Sequence, residues 1–210
     1  MVSHVKSITI CYGMVQYPHM AKQNGYLEVI AGPMYCGKTE ELIRQVKRAT
    51  IAKKRVQVFK HAIDTRYGND RKVFSHAGLS FQSELVTSAN EILKNVHPKT
   101  EFVAIDEAQW FGKELVPVVM KLVGQGKHVI VSGLAMTFDR QPFEPIPTLM
   151  AMADQVTKLS AICTICGAEA VFHKRITDGK KINPLKADPS LVGRTDAYEA
   201  RCRNCFTKKP

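Results

Sequence analysis

Three groups of residues in this sequence have the types and spacing of chemical sites, and the first is a glycine-rich loop. Residues 32–39, GPMYCGKT, follow the pattern G-x-x-x-x-G-K-[ST]. Gly32 and Gly37 allow a tight backbone path that turns several N–H groups toward one anion. Lys38 adds a positive charge, Thr39 offers a hydroxyl to Mg²⁺, and a helix beginning near Lys38 would add its dipole. The loop predicts an ATP-binding and Mg²⁺-binding set consisting of Gly32, Pro33, Met34, Tyr35, Cys36, Gly37, Lys38 and Thr39.

The second group is a pair of adjacent carboxylates after an apolar run, EFVAIDEAQ (101–109). An Asp at the end of a buried strand beside a phosphate loop holds Mg²⁺ through its water shell, and we assign this role to Asp106. Glu107 can then act as a general base. It would activate water in an ATPase, or accept a proton from a substrate hydroxyl in a kinase, and the residues alone leave both readings open.

The third group is a set of cysteines in two C-x-x-C pairs, Cys163 with Cys166 and Cys202 with Cys205. This spacing is typical of a tetrahedral structural Zn²⁺ site, and the alternative is four buried free thiols. With every coordination position filled by protein, the metal would fix the two ends of residues 167–201 rather than activate water. We interpret Cys36 as a small packing residue, and Cys11 has no evident partner.

Short apolar runs alternate with helical patterns along the first three quarters of the chain. We expect strands in YLEVIA (26–31), RVQVFKH (55–61), EFVAIDEAQ (101–109) and KHVIVSG (127–133). Such alternation predicts an α/β fold of the P-loop NTPase type, in which a parallel sheet has helices on both faces and binds ligands at the carboxyl ends of its strands. The expected organisation is an extension at 1–25, a nucleotide-binding core at 26–154 and a small zinc-binding lasso domain at 155–210.

The chain has 210 residues and a formal net charge of +11. A basic surface can attract ATP or nucleic acid, but its basic residues are scattered and are not interleaved with aromatic side chains that could stack bases. This scatter leads us to expect no nucleic acid as partner. No run of 18 apolar residues occurs, so we expect no membrane as partner either. The occurrence of paired cysteines in a chain that also has a nucleotide-binding loop favours a reducing, cytoplasmic setting.

Several segments together resemble a known family more specifically than the loop alone. They occur in this order: GPMYCGKTEELIR, DTRYG, AIDEAQWF, SGLAMTF, PFEPIPTLMAMAD, VTKLSAICTIC and VGRTDAYEARCRNC. From about residue 26 to residue 207, the chain resembles thymidine kinase of the compact, zinc-containing type II class.

The resemblance implies transfer of the ATP γ-phosphate to the 5′-hydroxyl of thymidine, with deoxyuridine as a second possible acceptor, in pyrimidine salvage for DNA synthesis. It implies Glu107 as the catalytic base, Arg66 near the phosphates, and Gln109 with Asp106 at the Mg²⁺–ATP site. It also implies structural Zn²⁺ and a homotetramer.

The resemblance further implies a nucleoside pocket in which main-chain groups of residues 189–193 read the base. The matching pocket residues are Met34, Asp64, Trp110, Leu134, Phe138, Leu191, Gly193 and Tyr198. Three positions depart from the family pattern, namely Trp110, His173 and Arg194. His173 stands near the expected methyl pocket where relatives often have Thr, which bears on the selection of thymidine over deoxyuridine.

Two other functions remain as alternatives at this point. One is a nucleic-acid-dependent P-loop ATPase with a zinc ribbon, and the other is a catalytically inactive nucleotide-binding scaffold. Transfer of label from ATP to thymidine would favour the kinase, whereas salt-dependent oligonucleotide binding with nucleic-acid-stimulated ADP release would favour the ATPase.

Overall fold

The computed structural model of the protein describes residues 25–63, 72–74, 80–176 and 197–207. In these residues the strands are, in chain order, β1 (Tyr26–Ala31), β2 (Val56–His61), β3 (Lys72–Phe74), β4 (Ser80–Gln82), β5 (Glu84–Val86), β6 (Phe102–Asp106), β7 (His128–Gly133), β8 (Gln155–Lys158), β9 (Ala161–Ile162), β10 (Glu169–Ala170), β11 (Phe172–Arg175) and β12 (Tyr198–Arg201). The α-helices are α1 (Lys38–Ile51), α2 (Ala89–Asn95), α3 (Leu115–Gly124) and α4 (Ile146–Met152), and a 3₁₀ turn covers Ala108–Phe111.

Among the described residues, the main sheet has six strands in the order β5-β2-β6-β7-β1-β8. Every pairing in it is parallel. Parallel neighbours require long crossovers, and α1, α2, α3 and α4 all lie within such crossovers. The predicted α/β class is therefore confirmed, and the carboxyl ends of β1, β2, β6 and β7 meet at one edge of the sheet.

Each face of the sheet is buried under helices, which explains why the central strands are almost continuously apolar. On one face α1 packs through Leu42, Ile43, Val46 and Ala49 against Ile30, Val58, Ala104 and Ile130. On the other face α2, α3 and α4 cover Val29, Phe59, Ile105 and Val131. Successive residues of a strand point to opposite faces, so neighbours such as Ala104 and Ile105 belong to different cores.

Local sequence sets the ends of the helices that frame the site. Helix α1 follows Gly37, whose φ of 82° lies in the left-handed region that glycine adopts without strain. Pro117 is the third residue of α3, in the first turn, where a backbone N–H has no partner inside the helix. The helix predicted around Pro117 therefore forms without a break at the proline.

The cysteine-containing region follows the sheet directly. Strand β8 lies within the segment 155–210, yet it pairs with β1 as the last strand of the main sheet. The antiparallel pairs β9–β10 and β11–β12 then carry the turns that hold the cysteines. The division into units at residue 154 stays a prediction, and of the predicted extension 1–25 only Gly25 is among the described residues.

The helices of the described residues are short. The longest, α1, has 14 residues, and none combines the length and the apolar character that a membrane span requires.

We predict that the core depends on the side chains of the central strand β6. Ile105 is completely buried against α2–α4, so Ile105→Ala removes apolar contacts and leaves a cavity. The expected loss is about 2–5 kcal/mol in the free energy of unfolding, measured by urea denaturation. The control is Ile51→Ala at the end of α1, where the side chain is 81% exposed and the change should stay within about 0.5 kcal/mol. Equal losses in the two variants would contradict the assignment of this core.

Candidate active site

The loop between β1 and α1 is folded tightly against its surroundings. A Cβ atom at Gly32 would lie 2.5 Å from Cys36 Sγ and 2.8 Å from the Leu159 carbonyl oxygen, so only glycine fits. The Cys36 thiol donates to the Pro33 carbonyl at 3.0 Å, which closes the loop on itself. The loop thus has the strand–loop–helix setting that a phosphate-binding backbone needs.

Lys38 and Thr39 end this loop and are the first two residues of α1. Lys38 Nζ donates to the Pro33 carbonyl at 2.5 Å, which holds the ammonium group over the loop. Thr39 Oγ1 donates to Asp106 Oδ2 at 3.2 Å. The structure therefore brings the predicted hydroxyl and carboxylate together, and these two oxygens are the groups that could hold Mg²⁺.

A buried lysine, which was not among the residues predicted from the sequence, lies beside Asp106. Lys60 at the carboxyl end of β2 is paired in register with Asp106 on β6. Their exposed fractions are only 4% and 3%. Paired residues of neighbouring strands share a face of the sheet, so Lys60 places a cation beside the aspartate. The available signal was a lysine directly after the apolar pair Val58 and Phe59 in the strand VQVFKH.

Glu107 leaves the strand in a different direction from Asp106. Its φ of 50° is in the left-handed region, and it begins the 3₁₀ turn at Ala108–Phe111. Gln109 Nε2 donates to Glu107 Oε2 at 2.5 Å, and Gln109 Oε1 accepts the Leu134 N–H at 3.1 Å. The buried Gln109 amide thus orients the candidate base against the end of β7. The contact predicted between Gln109 and Mg²⁺–ATP stays a prediction.

The structure brings some of the residues predicted for the nucleoside pocket close to one another. The Phe138 and Tyr198 rings lie 6.2 Å apart, and the Tyr198 and His173 rings lie 6.0 Å apart. Trp110 instead makes an edge-to-face contact with Phe143, at 5.6 Å between ring centroids.

The other predicted residues of this pocket divide into two sets. Met34 and Leu134 are half-buried. Asp64, Leu191 and Gly193, together with the predicted catalytic residue Arg66, lie outside the described residues, as does Arg194.

His173 is buried beside this aromatic group. Burial, and to a lesser extent the positive charge of Lys38, lower the pKa of His173 to about 4. The imidazole is therefore neutral at neutral pH, and it offers one N–H donor and one acceptor rather than a charge.

The four paired cysteines converge as predicted. The Sγ atoms of Cys163, Cys166, Cys202 and Cys205 all lie within 4.8 Å of one another, and the Cys166 and Cys202 sulfurs are 3.6 Å apart. Tetrahedral coordination with Zn–S bonds of about 2.3 Å places sulfurs about 3.8 Å apart, so the cluster fits a zinc ion.

The thiols of the cluster differ in their electrostatic surroundings. Backbone N–H groups, first that of Cys202, lower the pKa of Cys163 to about 6, while burial and the neighbouring thiols raise the pKa of Cys205 to about 12. Four adjacent thiolates would repel one another. A bound cation would offset this repulsion, because it stabilises the thiolate forms.

A comparison with known protein families agrees with this geometry. The family model described as thymidine kinase matches residues 25–206, which is most of the chain. The chain therefore belongs to the thymidine kinase family, and its activity is the ATP-dependent phosphorylation of thymidine. The resemblance noted from the sequence is confirmed, and the match favours the kinase over the ATPase and scaffold alternatives.

The first prediction from this site concerns the metal. The wild-type protein should bind zinc at the four-cysteine cluster, and Cys202→Ser should lose most of it because one of four ligands is gone. Elemental analysis of purified protein measures this directly. Cys36→Ser is the matched control, since Cys36 only packs against the cluster and its loss should leave the zinc content unchanged. Retention of zinc in Cys202→Ser would refute the assigned ligand set.

The second prediction concerns pH. His173 has a pKa of about 4 in the folded chain and about 6.5 when unfolded, so the unfolded state binds the proton more readily. Its contribution to stability is present above about pH 6.5 and is lost as the pH falls toward about 4, by up to ~1.4 kcal/mol per pH unit.

Urea unfolding of wild type and His173→Gln across this pH range isolates the effect. Burial also lowers the pKa of His61, but that residue is present in both proteins. The variant should therefore lose less stability on acidification than the wild type. Parallel pH profiles would show that His173 does not titrate in this way.

Proposed function

We propose that the chain transfers the γ-phosphate of ATP directly to the 5′-hydroxyl of thymidine, giving the 5′-monophosphate and ADP. The observation that carries this proposal is the Thr39–Asp106 hydrogen bond beside the glycine loop, with Glu107 as the next residue. A metal-binding pair and a second carboxylate at one strand end are what transfer to a hydroxyl requires.

The ATP phosphates would lie in the loop of residues 32–39, where backbone N–H groups and Lys38 neutralise their charge. Thr39 and Asp106 would hold Mg²⁺, which supplies charge neutralisation on the phosphate oxygens when bound. Lys60 would place a positive charge beside the Asp106 carboxylate. Arg66 remains a further predicted phosphate contact from the family resemblance.

Glu107 would act as the base. The 5′-oxygen of the nucleoside forms a bond to the γ-phosphorus, the bond from that phosphorus to the β–γ bridging oxygen breaks, and ADP leaves with the bonding electrons. The hydroxyl proton passes to the Glu107 carboxylate. Gln109 supports this step by fixing one Glu107 oxygen through its amide, so that the carboxylate does not swing away.

The nucleoside would bind beside Phe138 and Tyr198. Met34, Trp110 and Leu134 would line the same pocket, and Asp64, Leu191 and Gly193 are retained from the family resemblance. Peptide groups arranged as donor, acceptor and donor match the acceptor–donor–acceptor edge of thymine, whereas the same arrangement does not match the donor–acceptor–acceptor edge of cytosine. A mismatch leaves a buried polar group unsatisfied, at about 1–3 kcal/mol, which is enough to discriminate.

Zinc would have a structural role, because four thiolates leave no open coordination position. It would fix the two ends of residues 167–201 next to the pocket. A homotetramer, action in the cytoplasm, a role in salvage for DNA synthesis and use of deoxyuridine as an acceptor are further parts of the proposal. They are supported by the family resemblance alone.

The role of Glu107 has a direct test. Glu107→Gln keeps the size of the side chain but removes the base, so kcat for thymidine monophosphate formation should fall by roughly 10²–10⁴. Binding of an ATP analogue should be retained. Glu114→Gln, a nearby change at an exposed site, should leave kcat unchanged. If Glu107→Gln turns over thymidine at nearly the wild-type rate, another group is the base.

A further inference from the structure

A tyrosine of the phosphate loop contacts the strand that carries a pocket residue. The Tyr35 hydroxyl donates a hydrogen bond of 3.1 Å to the main-chain carbonyl of Tyr198, the first residue of β12. The two residues are 163 positions apart in sequence. Next to Tyr35, Cys36 packs against the small apolar cluster around the four cysteines. The ATP loop therefore rests on the zinc-binding region at two consecutive residues.

The conformation of Tyr35 makes this contact specific. Its φ of 67° lies in the left-handed region, which a residue with a large side chain rarely adopts. Its side chain is also 38% exposed, so burial of the ring does not account for its position. The loop backbone fixes the direction in which the ring leaves the chain, and the hydroxyl then reaches Tyr198.

Tyr198 contacts the phosphate loop and the aromatic group through different atoms. Its carbonyl accepts the hydrogen bond from the phosphate loop, while its ring lies against Phe138 and His173. Strand β12 pairs with β11, with Tyr198 opposite Arg175 at the end of the ladder, and further along β12 the Ala200 carbonyl accepts the Thr164 N–H at 3.1 Å. A restraint on the carbonyl of this terminal residue therefore limits the freedom of the ring.

We propose that Tyr35 is a positioning residue that couples the ATP site to the nucleoside site through its hydrogen bond to Tyr198. The inference rests on the proposed function, which places phosphates in the loop and the nucleoside beside Tyr198. Phosphate binding fixes the loop in one conformation, and the Tyr35 hydroxyl transmits that order to the start of β12. Each substrate then strengthens binding of the other, because a coupling free energy between two sites is reciprocal.

The test is the effect of Tyr35→Phe, which removes the hydroxyl and keeps the ring. Isothermal titration calorimetry gives the Kd of thymidine alone and with a saturating non-hydrolysable ATP analogue and Mg²⁺. In the wild type the analogue should tighten thymidine binding by about 3- to 10-fold, the effect expected of one such hydrogen bond. In Tyr35→Phe this factor should fall toward 1, because loss of the hydroxyl removes the link between the two sites.

Steady-state kinetics provides a second readout that general damage to the fold would not produce. At saturating ATP, the KM for thymidine should rise by about 3- to 10-fold in Tyr35→Phe, and this rise should exceed any fall in kcat. Tyr26→Phe is the matched control. The Tyr26 hydroxyl on β1 donates to Gln155 Oε1 on β8 at 3.2 Å, away from the phosphate loop, so this variant should behave as wild type in both assays.

The possible results separate this inference from the function on which it rests. Equal coupling in Tyr35→Phe and wild type, or no coupling in the wild type, overturns the role of Tyr35 even if thymidine is phosphorylated normally. An equal change in Tyr35→Phe and Tyr26→Phe also overturns it. If the wild type neither binds nor phosphorylates thymidine, the proposed function fails and this inference fails with it.

Discussion

The site depends on the parallel register in which β6 lies between β2 and β7. Along β6 the side chains alternate between the two cores, so that Ile105 packs under α2–α4 and Asp106 faces the side of α1. A slip of one residue would exchange these faces, burying a carboxylate among apolar side chains and moving it away from Thr39. The same register sets Lys60 beside Asp106. Packing of the apolar residues therefore fixes the position of the charged ones.

The end of this strand gives two adjacent carboxylates different surroundings. Asp106 is still in the sheet and lies beside a hydroxyl and a lysine, which suits a carboxylate that takes part in holding a metal. Glu107 has turned into a left-handed conformation and meets the Gln109 amide. Neighbours in sequence can thus serve as metal ligand and base, since the backbone sends their side chains in different directions.

Much of the fold and part of the site could be predicted from the sequence, because those features are local. The strand at Tyr26–Ala31, the apolar face of α1 and the spacing of the four cysteines follow from periodicity and short motifs. The pairing of Lys60 with Asp106 and the Tyr35–Tyr198 contact depend on segments far apart in the chain. Strand β8 likewise joins the main sheet although it stands beside the cysteine region in sequence, since its pairing partner is β1.

Direct transfer of the γ-phosphate to the nucleoside is tested most sharply by following the phosphorus itself. The protein is incubated with Mg²⁺, thymidine and ATP, and the products are followed by ³¹P NMR. The phosphorus should appear in thymidine monophosphate and couple to the two protons on the 5′-carbon. Phosphorus that leaves ATP only as inorganic phosphate, at a rate that thymidine does not change, would contradict the proposed reaction.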